Sequence, residues 1–138
     1  MSRIEFKQSY SGYYQGLFIV MNPKRLPKDQ PEINIGQAVS DALCQVPREL
    51  RKLKVIEILE NALQHHDRTT ITHIEVLFAD YLEIDVVRSV LSLCRNRIIC
   101  CLWPGQWHEG KLIYATPEYP EYYECDIKAL SDLYIVND

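Results

Sequence analysis

Unbroken apolar runs alternate along this chain with apolar positions at helical spacing. Leu17-Phe18-Ile19-Val20-Met21 is bounded by Gly16 and Asn22-Pro23. A run this short suits a strand buried on both faces. Ile33-Asn34-Ile35 predicts a short strand ending at Gly36. Val39, Ala42, Leu43 and Val46 then fall on one helical face. Pro47 restarts the pattern at a first-turn position. Leu50, Leu53, Ile56, Leu59 and Leu63 carry a second helix to His65-His66. The stretch 71–78 returns to strand-like composition. Val86, Val87, Val90, Leu91 and Cys94 mark another amphipathic helix. Residues 98–103 predict a second doubly buried strand. After the loop from Pro104 to Gly110, Leu112-Ile113-Tyr114 predicts a strand returning beside it. Residues 125–127 predict a short strand, and 129–133 a last helical turn. Strands alternating with amphipathic helices predict an α/β fold. The expected form is a three-layer sandwich with a mostly parallel sheet and a C-terminal β-hairpin, one domain over residues 1–138.

Composition narrows the class without naming a function. The 138 residues are 47% hydrophobic and 25% charged, close to the globular average. The length accommodates one core without disulfides or a metal. The formal net charge of −4 excludes an overall basic footprint for nucleic acid. That charge is unevenly placed. Residues 1–70 carry ten Lys/Arg against eight Asp/Glu, and residues 71–138 carry five against eleven. Five cysteines, two of them adjacent at Cys100 and Cys101, form no C-x-x-C pair. They read as reduced thiols of an intracellular protein. The first residues show no signal-peptide core, and no apolar run approaches membrane-spanning length. A cytoplasmic protein with no membrane contact is expected.

Chemistry is sought next at the carboxyl ends of the strands, where α/β sheets bind ligands. A phosphate-binding loop after the first strand needs glycines, a Lys beside Ser/Thr, and a following helix. Here the loop reads Asn22-Pro23-Lys24-Arg25-Leu26-Pro27-Lys28-Asp29. It holds no glycine, and its prolines lack N–H donors. The stretch 71–78 offers Glu75 as its acid, where a metal-holding strand end is richer in carboxylates. The four histidines show no H-E-x-x-H spacing, no G-x-S-x-G elbow occurs, and a metal site built from His66, His73 and a cysteine lacks ligand spacing. No metal, cofactor or catalytic residue is expected. Arg95-Asn96-Arg97 suits either an anion or the capping of a helix C-terminus. Trp103 and Trp107 share one loop, followed by Tyr119, Tyr122 and Tyr123 among Glu118, Glu121 and Glu124. Acid among these aromatics suits a protein partner better than stacked bases.

Five stretches in order resemble a known family. They are Ile33-Asn34-Ile35-Gly36, Pro47-Arg48-Glu49-Leu50-Arg51, Ile74-Glu75-Val76-Leu77-Phe78, Arg95-Asn96-Arg97, and Leu112-Ile113-Tyr114-Ala115 with residues 117–122. Over residues 17–127 the set resembles BrxF, the small P-loop protein of BREX phage-defence systems. The resemblance implies a sheet related to a P-loop NTPase core, acting with other defence proteins. It also implies that the glycine-rich loop and the helix behind it are deleted between Val20 and Ile33. Thr72-His73 replaces the family's Asp-Asn pair, while Glu75 and Arg95-Asn96-Arg97 match. The leading expectation is a degenerate, non-catalytic interaction or regulatory subunit of a bacterial anti-phage defence complex. Its partners would be other subunits, met through Trp103, Trp107, Tyr119, Tyr122 and Tyr123. Two alternatives stay open. One is a divergent nucleotide-binding ATPase using Lys24, Glu75 and Arg97. The other is a nucleic-acid-contacting subunit using Lys24, Arg25, Lys28, Arg48, Arg51, Lys52 and Lys54. No pattern specifies an oligomeric state.

Overall fold

The computed structural model describes residues 2–3, 15–64 and 66–136. Nine strands and three α-helices are assigned among them. In chain order they are β1 (Ser2–Arg3), β2 (Gly16–Val20), β3 (Glu32–Asn34), α1 (Ile35–Leu43), α2 (Arg51–Leu63), β4 (Arg68–Thr72), α3 (Val86–Ser92), β5 (Ile98–Leu102), β6 (Gln106–His108), β7 (Lys111–Tyr114), β8 (Tyr123–Asp126) and β9 (Leu133–Val136). Local chemistry sets several boundaries. Asn34 ends β3 and caps α1, its Oδ1 accepting from Gln37 N at 3.0 Å. Asp85 caps α3 in the same way, accepting from Arg88 N at 3.2 Å. α2 stops where Gln64 turns to a φ of 57°.

Six strands form one sheet in the order β1-β9-β2-β5-β4-β3, and every pairing in it is parallel. β2 lies at the centre, in register with β5 from Gly16↔Ile98 to Val20↔Leu102 and with β9 from Leu17↔Leu133 to Val20↔Val136. From β2 the chain goes out to β3, returns through β4 and β5 toward the centre, then crosses to β9 on the far side. The order therefore reverses at β2, and the crevice outside the carboxyl ends of β2, β5 and β9 is the topological switch point. Between β5 and β9 the chain adds a second, antiparallel sheet, β6-β7-β8, where a two-stranded hairpin was expected.

The two faces of the parallel sheet are covered differently. Leu17, Ile19, Ile71, Ile99 and Cys101 join the buried residues of α1, α2 and α3 in one large cluster. Phe18, Val20, Ile98, Cys100 and Val136, which alternate with them, form a separate small cluster flanked by Leu26 and Tyr134. All three helices thus pack on one face. The expected three-layer sandwich is corrected to a helical layer on one side only, among the described residues. The reason lies in the segment after β2. Pro23, Pro27 and Pro31 forbid a helix there. The segment instead makes a 3-10 turn, Pro23–Arg25, and runs past the opposite face. Leu26 packs on the Phe18 cluster, and Gln30 Nε2 donates to Thr70 Oγ1 at 3.0 Å.

Other elements differ from expectation. Strand β4 ends at Thr72, where the strand was expected to run to Phe78. His73 then adopts a left-handed φ of 56°, and Ile74–Phe78 winds into a 3-10 helix. Residues 127–129 make a helical turn near the end, and Leu133–Val136, where that turn was expected to finish, is a strand inside the sheet. The buried face of α2 is Val55, Leu59 and Leu63. Leu50, Leu53 and Ile56, expected on that face, point to solvent.

Candidate functional site

The carboxyl edge of the parallel sheet collects several residues singled out by sequence. Asn22 follows β2, and its Oδ1 accepts from Lys24 N at 3.0 Å, closing the Pro23–Arg25 turn. Lys24 is exposed there. Glu75 is exposed on the turn that follows β4. Its carboxylate reaches the end of β7 electrostatically: burial raises the Tyr114 phenol above its usual range, and Glu75 adds to the rise. Gly36, in the first turn of α1, lies against the same bend. A Cβ there would stand 3.1 Å from the His73 carbonyl oxygen and 3.3 Å from Asn34 Oδ1.

Arg97 sits at the opposite edge, immediately before β5. A five-residue strand separates the two edges by about 16 Å, so Lys24 and Glu75 do not share a site with Arg97. Its guanidinium is committed to the protein itself. Nε donates to the His66 carbonyl at 3.1 Å, Nη1 to the Leu93 carbonyl at 3.1 Å and to Glu60 Oε1 at 3.2 Å, and Nη2 to the Gln64 carbonyl at 3.3 Å. The side chain is 14% exposed. Arg97 closes the carboxyl ends of α2 and α3, where a cation is favoured by unpaired carbonyls and the helix dipole. The cleft beside it holds about 700 Å³ and mixes Glu60 and Asp67 with Arg95 and Asn96. Acids and cations there leave no single sign of charge for an anion.

The tryptophan loop is largely an internal joint. Trp103 is buried, and its Nε1 donates to the Ile113 carbonyl at 3.1 Å. Phe78 is the centre of the cluster. Tyr114 stacks on it at 4.1 Å, and Trp103 and Tyr123 meet it edge-on at 5.6 and 5.4 Å. Gly105 makes the joint close: a Cβ there would fall 1.9 Å from the Ile113 carbonyl oxygen. Tyr123 donates its hydroxyl to Asp85 and accepts from Val87 N at 3.1 Å, tying β8 to the start of α3. Burial, then the bond to Asp85, pushes its phenol far above the ordinary range. Tyr122 donates to Glu124, which also pairs with Lys111 at 2.8 Å. Trp107 is half-buried against the large cluster. Of the five aromatics expected to meet a partner, Tyr119 alone is strongly exposed, at 55%. Trp103 is corrected to a core residue, because Phe78 and β7 fold over it.

The basic residues are also divided. Lys24, Arg25 and Lys28 are exposed on the loop that runs past the Phe18 face. Arg48, Arg51, Lys52 and Lys54 lie at the start of α2, on the helical face. Arg51 Nε donates to the Val46 carbonyl at 3.1 Å, Lys52 pairs with Glu83 at 3.2 Å and Lys54 with Glu57 at 3.6 Å. The first group sits on the loop whose Leu26 packs on the Phe18 cluster, and the second at the start of α2, which packs on the large cluster.

Burial works against thiolate chemistry at Cys94 and Cys101. Desolvation pushes the Cys94 thiol up to about 12 and raises that of Cys101 too, opposite to what a reactive thiolate needs. All five cysteines are free thiols, and among the described residues no group of His, Cys, Asp and Glu is arranged to hold a metal ion. No described helix is long and apolar enough to cross a membrane. The structure defines an α/β protein with a parallel sheet, helices on one face and an antiparallel sheet inserted before the last strand. Set against protein-family models, curated proteins and solved structures, the chain matches none.

Proposed function

We propose that the chain is a non-catalytic interaction subunit of a bacterial anti-phage defence assembly, built on a P-loop-like scaffold that has lost its phosphate cradle. The observation that carries the reading is the segment after β2. At the switch point of a parallel sheet, an anion is held by consecutive backbone N–H groups and the first turn of a helix. Here the first residue after Asn22 is proline, the turn is three residues long, and no helix follows before β3. The strand order supports the scaffold reading. β2 stands between β5 and β9, as the phosphate-loop strand of a P-loop NTPase core stands between its fourth and fifth strands. The defence setting comes from the resemblance to BrxF. The loss of turnover is consistent with Thr72-His73, a hydroxyl and an imidazole where a metal-holding carboxylate would stand.

Isothermal titration with Mg-ATP tests the reading. The expected result is no micromolar binding and no phosphate release. Micromolar binding, together with hydrolysis abolished by Glu75→Gln, overturns it.

A further inference from the structure

We propose that the chain pairs with a second copy of itself across the surface where α2 begins, in a closed two-fold dimer. Four large apolar side chains are strongly exposed among the described residues: Leu50 at 41%, Leu53 at 75%, Ile56 at 37% and Tyr119 at 55%. The first three follow one another at a spacing of three and make a stripe along the start of α2. The fourth lies on the turn before β8. A stripe of this kind is a contact surface when a polar rim surrounds it.

The rim has two halves of opposite charge. Residues 48–57 carry Arg48, Arg51, Lys52 and Lys54 against Glu49 and Glu57. Residues 80–83 and 117–121 carry Asp80, Glu83, Glu118 and Glu121 and no cation. The two halves adjoin. Lys52 Nζ is 3.2 Å from Glu83 Oε2, and Glu83 lines a cleft of about 190 Å³ with Asp80, Leu77, Pro120, Glu121 and Tyr122. That cleft sets Pro120 and Ile84 beside the carboxylates of Asp80, Glu83 and Glu121, a mixed lining that suits an apolar side chain flanked by cations.

Adjoining patches of opposite charge are self-complementary under a two-fold rotation. An axis at the Lys52–Glu83 border sets the cationic stripe of one copy on the acidic cleft of the other, and the reverse. Each contact is then made twice and no patch is left open for further growth. The exposed Lys52–Glu83 and Lys54–Glu57 pairs hold these charges only weakly, so exchanging them for partners across the interface costs little. The proposal rests on surface composition and stands apart from nucleotide binding.

Sedimentation velocity of the full chain, from micromolar to submillimolar concentration at low and high salt, tests it. The expected result is a monomer–dimer equilibrium weakened by salt. Leu53→Asp, at a position too exposed to disturb folding, is expected to weaken it by about tenfold or more. Charge reversal supplies a second arm. Arg48→Glu with Lys54→Glu, and separately Glu118→Lys with Glu121→Lys, should each dimerise poorly alone. Mixed together, the two variants should dimerise well, because both contacts of the mixed pair are again complementary. A wild-type monomer at every concentration overturns the proposal. So does a dimer indifferent to Leu53→Asp, or growth beyond two subunits.

Discussion

Thr69 Oγ1 is buried in β4 with no hydrogen-bond partner among the described residues. A hydroxyl taken out of water without a partner costs about 1–3 kcal/mol. Valine keeps the shape and favours the strand. Thr69→Val is therefore expected to stabilise the fold by about 1 kcal/mol, read as a higher urea midpoint at an unchanged slope. Residue-scale roles were unevenly legible. Capping by the Arg95-Asn96-Arg97 segment was one of two readings open from its place at a helix end, and the geometry of Arg97 is that of a cap. The Trp103 environment was not legible. A tryptophan beside Pro104-Gly105 looks like an exposed loop anchor, and Phe78, which buries it, lies on a distant segment. Only the tertiary fold brings the two together.

At the scale of elements, α2 shows how too many apolar residues blur a face. Leu53, Val55, Ile56, Ile58, Leu59 and Leu63 exceed what one helical stripe needs. Val55, Leu59 and Leu63 are buried, and Leu53 and Ile56 are left outside. Leu59→Ala should cost about 2–5 kcal/mol from the cavity it leaves. Leu53→Ala should change stability by about 0.5 kcal/mol or less. Chemical denaturation of the two variants checks the assignment. The doubly buried strands β2 and β5 were legible because their runs are apolar on both faces. β9 was missed because Leu133-Tyr134-Ile135-Val136 follows an acidic, turn-rich segment and is too short to separate by periodicity from a helical turn. The strand expected over 71–78 was overextended, because Ile74–Phe78 is apolar enough for either a strand or a buried turn.

For the whole molecule, several buried acids are held neutral, and this sets its response to alkali. Burial raises Cys94 from 9.0 to about 12, and raises Cys101 and Tyr123 as well. A group whose pKa is higher folded than unfolded gives its full stabilisation below the unfolded value. That stabilisation is lost as the pH climbs toward the folded value. Stability should hold up to about pH 9 and then fall by about 1.4 kcal/mol per pH unit for each such group that ionises only when unfolded. Urea midpoints measured under reducing conditions across that range check the sign, and Cys94→Ala should flatten the fall.

The place of the last strand bears on how the chain is made. β2 is synthesised before both of its neighbours, and one of them is β9, more than a hundred residues later. Until residues 133–136 leave the ribosome, a strand buried along its whole length has an unpaired edge, a template for association with other nascent chains. β9 is therefore expected to enter late, as the step that ends the exposure.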